Sequence, residues 1–244
     1  MCELFGFSSK HPLAASALPL AEFRTHGGAL ADNPDGWGMV WREREAWQLE
    51  KEPFPGSHSA RFERLIHTVQ SDLIVAHVRK ANLPPVNTLG NTHPFIHGCC
   101  ERQWAFAHNG MVPEVAAAEA ALCNAMCRPD GQTDSEFAFC HLLSHLAGHY
   151  RAAEAEDDWL GILSQISAQI AARGKFNFLL SDGQLLIAYG HDRLHYRESA
   201  NAANPSVVVS TEPLGDAASW TAFAPGELRL YQGGVPVRQI MTVF

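Results

Sequence analysis

Short segments rich in β-formers constrain this chain most, because they come in adjacent pairs that the helical stretches do not interrupt one for one. Eight segments read as strands: 2–7, 38–42, 73–78, 104–108, 176–181, 185–189, 207–210 and 227–231. Ser181-Asp182-Gly183-Gln184 separates two of them and reads as a tight hairpin turn. Apolar residues recur at helical spacing over 57–70, 135–149 and 158–172. Asp157 or Asp158 is placed to cap the last of these. Paired strands with segregated helices predict antiparallel sheets, hence an α+β fold. Which sheet packs on which is not visible in the spacing.

Bulk properties narrow the partners. The chain has 244 residues, enough for a substantial core, and no internal repeat or linker divides it, so one domain over 1–244 is expected. A net charge of −8 with no Lys/Arg run argues against nucleic acid, which rewards clustered positive charge. No apolar run approaches the roughly 18 residues that span a bilayer, and the N-terminus lacks the pattern of a signal peptide. A cytoplasmic location is expected, with no membrane association. The six cysteines (2, 99, 100, 123, 127 and 140) are then read as thiols.

Cys2 stands directly behind the initiator methionine. Removal of Met1 would leave a thiol and a free α-amine on one residue. An α-amine titrates at about 8 and a thiol at about 8.5, so that residue would hold both nucleophile and base. While Met1 remains, the Cys2 nitrogen is an amide and no base. The plainer alternative is a small buried hydrophobe in an ordinary first strand.

Four further segments carry chemistry, each with a plainer alternative. Arg79 in Ala76-His77-Val78-Arg79 ends an apolar strand and suits a two-pronged grip on a carboxylate, or a surface ion pair. Asn109 and Gly110, in Phe106-Ala107-His108-Asn109-Gly110, suit an oxyanion hole, or simply a turn. His93, in Asn91-Thr92-His93-Pro94-Phe95, suits a pocket edge or plain surface. Asp134, in Gln132-Thr133-Asp134-Ser135-Glu136, suits a receiver for a substrate ammonium, or a helix N-cap.

Cys at the mature N-terminus, His-x-Arg, Asn-x-His-Pro, His-Asn-Gly and Thr-Asp-Ser-Glu occur here in one order. That order resembles the class II glutamine amidotransferases, which are N-terminal-nucleophile hydrolases, from Cys2 to about His145. Asp35-Gly36-Trp37-Gly38-Met39-Val40-Trp41 and Ser210-Thr211-Glu212-Pro213-Leu214 extend the likeness to the stand-alone YafJ-like group over nearly the whole chain. The resemblance implies a four-layer αββα sandwich of two antiparallel sheets. It implies an amidohydrolase that cleaves the γ-amide of glutamine or of a γ-glutamyl compound through a γ-glutamyl thioester.

Carried over by position, Cys2 is the nucleophile with its own amine as base, and Asn109 and Gly110 form the oxyanion hole. Arg79 clamps the substrate α-carboxylate, Asp134 takes the α-ammonium, and His93 sits at the pocket edge. No cofactor and no metal are implied. The partners are a small γ-glutamyl substrate and, if ammonia is the useful product, an ammonia-accepting protein.

The chain departs from the multidomain amidotransferases at Lys80, where they carry tryptophan. It also departs at Ala81-Asn82-Leu83-Pro84 and at Asp32-Asn33-Pro34. The pocket wall is therefore expected to differ, with a substrate larger than free glutamine one consequence.

Three competing readings remain. A γ-glutamyl sensor would need Arg79 and Asp134 but not Cys2, Asn109 and Gly110. An acylase for other amides would not need the pair that reads an amino-acid head group. A structural zinc site would use Cys123, Cys127, His141 and His145, whose spacing is near that of a zinc finger.

Overall fold

In the computed structural model, described for residues 2–82, 85–120, 126–150, 158–199 and 201–244, two antiparallel sheets lie face to face with helices outside both. The first sheet holds β1 (Glu3–Ala14), β2 (Trp37–Glu43), β3 (Ala46–Glu52), β4 (Gln70–Val78), β9 (His195–Glu198), β10 (Ser206–Ser210) and β11 (Thr221–Ala222). Its order is β11-β9-β10-β1-β4-β2-β3. The second holds β5 (Phe95–Cys99), β6 (Arg102–Met111), β7 (Lys175–Ser181), β8 (Leu185–Gly190), β12 (Glu227–Gln232) and β13 (Val235–Met241), in the order β13-β12-β8-β7-β6-β5.

Strand alternation builds three apolar layers. Leu4, Val40, Val75, Ala107, Leu179, Ala188 and Val209 point between the sheets. Their neighbours Phe5, Phe7, Trp37, Met39, Ile74 and Ala76 face outward, onto α1 (Leu20–Thr25) and α2 (Ala60–Thr68). On the far side Phe106, Phe176, Phe178 and Tyr189 face α4 (Asp134–Tyr150) and α5 (Asp158–Ala171). A short helix, α3 (Val115–Ala120), precedes α4. The result is the four-layer αββα sandwich that the resemblance implied. Strands buried on both faces explain why 2–7 and 73–78 read as nearly continuous apolar runs instead of clean alternations.

All eight expected strands and all three expected helices are present, with ends shifted by up to three residues except in β1, which runs on to Ala14 where 7 was expected. The spacing missed β3, β5, β9, β11 and β13, and the short helices α1 and α3. β13 is an edge strand with most of its side chains in solvent, so it carries no buried face to betray it. Of the two proposed caps for α5, Asp157 lies outside the described residues.

The thiol expectation is corrected at four cysteines. Cys99 is bonded to Cys100 and Cys127 to Cys140. The segment before α4 folds back along that helix, and this brings Cys127 onto a residue thirteen positions away.

Candidate active site

Antiparallel pairing puts the beginning of β1 beside the end of β4, with Glu3 opposite Val78 and Leu4 opposite His77. Cys2 therefore lands next to Arg79 and Lys80. The Lys80 N–H donates to the Cys2 sulfur at 3.2 Å, and the sulfur lies 3.2 Å from the Lys80 carbonyl oxygen. Burial pushes the Cys2 thiol above its ordinary value, opposed by the Lys80 N–H and the Arg79 charge. Such a thiol needs a base close at hand.

Cys2, Arg79, His93, Gly110 and Asp134 line one cavity of about 400 Å³. Five of the six expected residues are thus brought together. The sixth, Asn109, reaches Cys2 from the opposite sheet, where its side-chain amide donates to the Cys2 carbonyl and, at 3.3 Å, to the Thr211 hydroxyl. Thr211 in turn accepts from the Leu4 N–H at 2.9 Å. Both hydrogens of the Asn109 amide are therefore engaged in this conformation, and an oxyanion would have to displace one of these partners. Gly110 sits at φ +154°, and a Cβ there would fall 1.8 Å from the Lys175 carbonyl oxygen. Only glycine lets this strand end lie so close to β7.

Arg79 is buried, and its guanidinium donates to Asn87 Oδ1 at 2.9 Å and to two backbone carbonyls at 3.4 Å. Among the described residues no carboxylate stands within ion-pair distance of it. Burial lowers its affinity for its proton, opposed by Cys2 and Asp35. A buried cation without a counter-ion, facing a cavity, is a receptor for an anion.

Asp134 begins α4 but does not cap it. Thr133 is the cap, its hydroxyl accepting from the Glu136 N–H at 3.2 Å. The Asp134 carboxylate instead accepts from the Val112 N–H at 2.7 Å, which aims it along the cavity wall.

His93 is buried against His77, the two rings tilted at 39° with centroids 4.2 Å apart, and neither ring has a hydrogen-bond partner among the described residues. Burial, reinforced by neighbouring positive groups, pushes both well below the ordinary histidine value, His77 to about 3. Both are neutral near pH 7. The loop bearing His93 lies directly on β2, and a Cβ at Gly38 would meet the His93 carbonyl oxygen at 2.2 Å.

Asp35, Asn87 and Thr211 were given no role by sequence reasoning. Asp35 accepts from the Ala81 N–H at 2.8 Å and from Asn87 at 3.1 Å, so it shapes the loop that cradles Arg79. Asp35 and Thr211 lie in the two segments that extended the family likeness. That likeness was the signal available, without the contacts that explain it. Lys80, in place of the expected tryptophan, turns outward to pair with Asp32 at 2.7 Å. Leu83 and Pro84 lie outside the described residues.

The zinc-finger spacing is not assembled. Cys123 lies outside the described residues, His141 pairs with Glu119 at 3.1 Å, and His145 bonds the His141 carbonyl at 2.9 Å. A second cavity, of about 440 Å³, holds Arg42 and Arg102, and each is already paired with an aspartate.

A cysteine at the head of a strand and a buried arginine with no carboxylate partner among the described residues thus meet in one cavity, over which the two sheets converge. The chain belongs to the class II glutamine amidotransferases, whose family profile matches residues 1–199. It is 32% identical to the putative glutamine amidotransferase YafJ of Escherichia coli, over 95% of this chain and 97% of that protein. A putative glutamine amidotransferase of Haemophilus influenzae is 27% identical over 99% of this chain and 87% of its own length. The crystal structure of a predicted glutamine amidotransferase from Pseudomonas aeruginosa superposes with a TM-score of 0.69 at 28% identity, covering 97% of this chain and all of that one. The glutamine phosphoribosylpyrophosphate amidotransferase of B. subtilis shares the fold at 16% identity, with a TM-score of 0.72, over 98% of this chain and 49% of that one.

Proposed function

We propose that this protein, once Met1 is removed, hydrolyses the γ-amide of glutamine or of a γ-glutamyl compound with Cys2 as nucleophile. The carrying observation is the buried Arg79 guanidinium, without a carboxylate partner among the described residues, in one cavity with the Cys2 sulfur and the Asp134 carboxylate. A positive and a negative group beside one sulfur match the α-carboxylate and α-ammonium of an amino-acid head group.

The Cys2 α-amine takes the thiol proton, and the sulfur attacks the γ-carbonyl. The Asn109 amide and the Gly110 N–H receive the oxyanion, with Asn109 giving up one of its present partners. The C–N bond breaks as the amine returns its proton to the leaving nitrogen. Water then cleaves the γ-glutamyl thioester, releasing glutamate and restoring the thiol. Ammonia passes to an accepting protein when glutamine is the substrate, and a freed amine is the product otherwise.

The test is glutamate release from L-glutamine by protein whose mass lacks Met1, beside a Cys2→Ala control. Release that depends on Cys2 supports the reading. If glutamine and a panel of γ-glutamyl peptides both fail with Met1 removed, the hydrolase is excluded and binding without turnover stands.

A further inference from the structure

Outside the cavity, His97 of β5, Cys127 of the segment before α4 and Cys140 of α4 converge. One ligand atom from each lies within 4.8 Å of the other two. A disulfide alone has no use for the third member. His97 Nε2 lies 3.1 Å from Glu136 Oε1. Glu136 is itself buried and fixed by the N–H groups of Asp130 at 3.0 Å and Gly131 at 2.8 Å. Glu136 and Cys140 are four residues apart, so they share a face of α4. A carboxylate that holds one imidazole nitrogen fixes the ring and leaves the other nitrogen as a lone-pair donor. This is the usual support for a histidine that binds metal. Among the described residues His97 Nδ1 makes no hydrogen bond.

We infer that His97, Cys127 and Cys140 form a binding site for a zinc-class divalent cation, with water in the fourth position. Two thiolates and one imidazole suit that ion, and their two negative charges balance it. The ion takes the reduced pair. A dithiol reductant opens the Cys127–Cys140 bond, giving two thiols and an oxidised dithiol. Binding then releases the two thiol protons to solvent. The ion would tie β5, the segment before α4 and α4 together. It stands apart from the finger-like spacing in the sequence, sharing only Cys127 with it. It rests on none of the proposed amidohydrolase chemistry.

The experiment measures zinc per chain in untagged protein, purified in a dithiol reductant and equilibrated with micromolar zinc. Cobalt is then substituted to look for thiolate-to-metal charge-transfer bands. The expected result is about one ion per chain, falling below roughly a tenth in Cys127→Ser and Cys140→Ser. His97→Ala binds about 10- to 100-fold more weakly. Cys2→Ala keeps its zinc, which separates this site from the nucleophile. Reduced wild-type protein that takes up no zinc and gives no cobalt charge-transfer bands overturns the proposal, as does a Cys127–Cys140 bond that resists the reductant. Zinc retained unchanged in Cys127→Ser also overturns it. If the serine variants do not fold, the cobalt spectrum of the wild-type protein decides.

Discussion

The two sides of the cavity are built on opposite principles. The strand side carries Cys2, Arg79 and His93, backed by His77. Cys2 and Arg79 are placed by the pairing of β1 with β4, the His77 and His93 rings have no hydrogen-bond partner among the described residues, and its one cation has no counter-ion among them. The helix side carries Asp134, backed by Glu136 and His97. Every polar group named there is bonded, carboxylate to backbone N–H or carboxylate to imidazole. The backbone ladder of the sheet fixes the strand side without an ion pair among the described residues and leaves its Arg79 charge available to a ligand. The helix side starts at a loop and is held by the polar bonds themselves.

The largest expected effect tests the free charge. Arg79→Met should lower kcat/KM for a γ-glutamyl substrate by roughly 100- to 1000-fold. Thermal stability should fall far less than activity, as read by steady-state kinetics beside a melting curve. On the helix side Asp134→Asn keeps an acceptor for the Val112 N–H but removes the charge. A loss of about 10- to 100-fold, mostly in KM, is expected. Equal stability losses in both variants would break the contrast between the two sides.

Acid should separate the sides next. His77 and His93 are held neutral in the fold, with values far below those of the unfolded chain. The unfolded chain therefore binds more protons between about pH 6.5 and 3. The stability is fully present above about 6.5 and is lost as pH falls through that window, at about 1.4 kcal/mol per pH unit for each histidine. Melting temperatures of the wild-type protein from pH 7 to 4.5 should fall steeply, and those of His77→Gln less so. Glu136 contributes later. Burial raises its carboxyl, but the bonds from His97, Asp130 and Gly131 outweigh this and hold it below the usual value. Its stabilisation is present above about pH 4.5 and lost only below that.

The smallest effect concerns Thr211, a positioning residue. Thr211→Val removes one acceptor for the Asn109 amide and leaves the Leu4 N–H unpaired. A fall in kcat of about 5- to 10-fold at unchanged KM is expected from an ill-placed oxyanion donor. A matching rise in KM would mean that Thr211 acts on substrate binding instead.

The residues bearing these predictions were unequally legible. Arg79, Asn109, Gly110 and Asp134 could be singled out because each sits at a strand end or helix start within a short motif. Thr133, the actual cap of α4, was passed over for Asp134, because the two neighbours are equally good capping types and only the Val112 N–H decides between them. Asp35 was legible as part of a motif, but its hold on Ala81 and Asn87 was not.

The sequence by itself determined eight of the strands, the three longer helices, the antiparallel class and the family, because alternation, turn residues and ordered motifs are local in the chain. It also set the condition for the role proposed for Cys2, because the Cys2 nitrogen is an amide while Met1 is attached. Only the tertiary structure decided that Arg79 has no carboxylate near it among the described residues. The same holds for Asn109 bonding the Cys2 carbonyl from the other sheet, and for His97 facing Cys127 and Cys140. Each of these depends on how one layer is laid against another, and side-chain spacing within a single strand or helix carries no record of what the opposite layer will present.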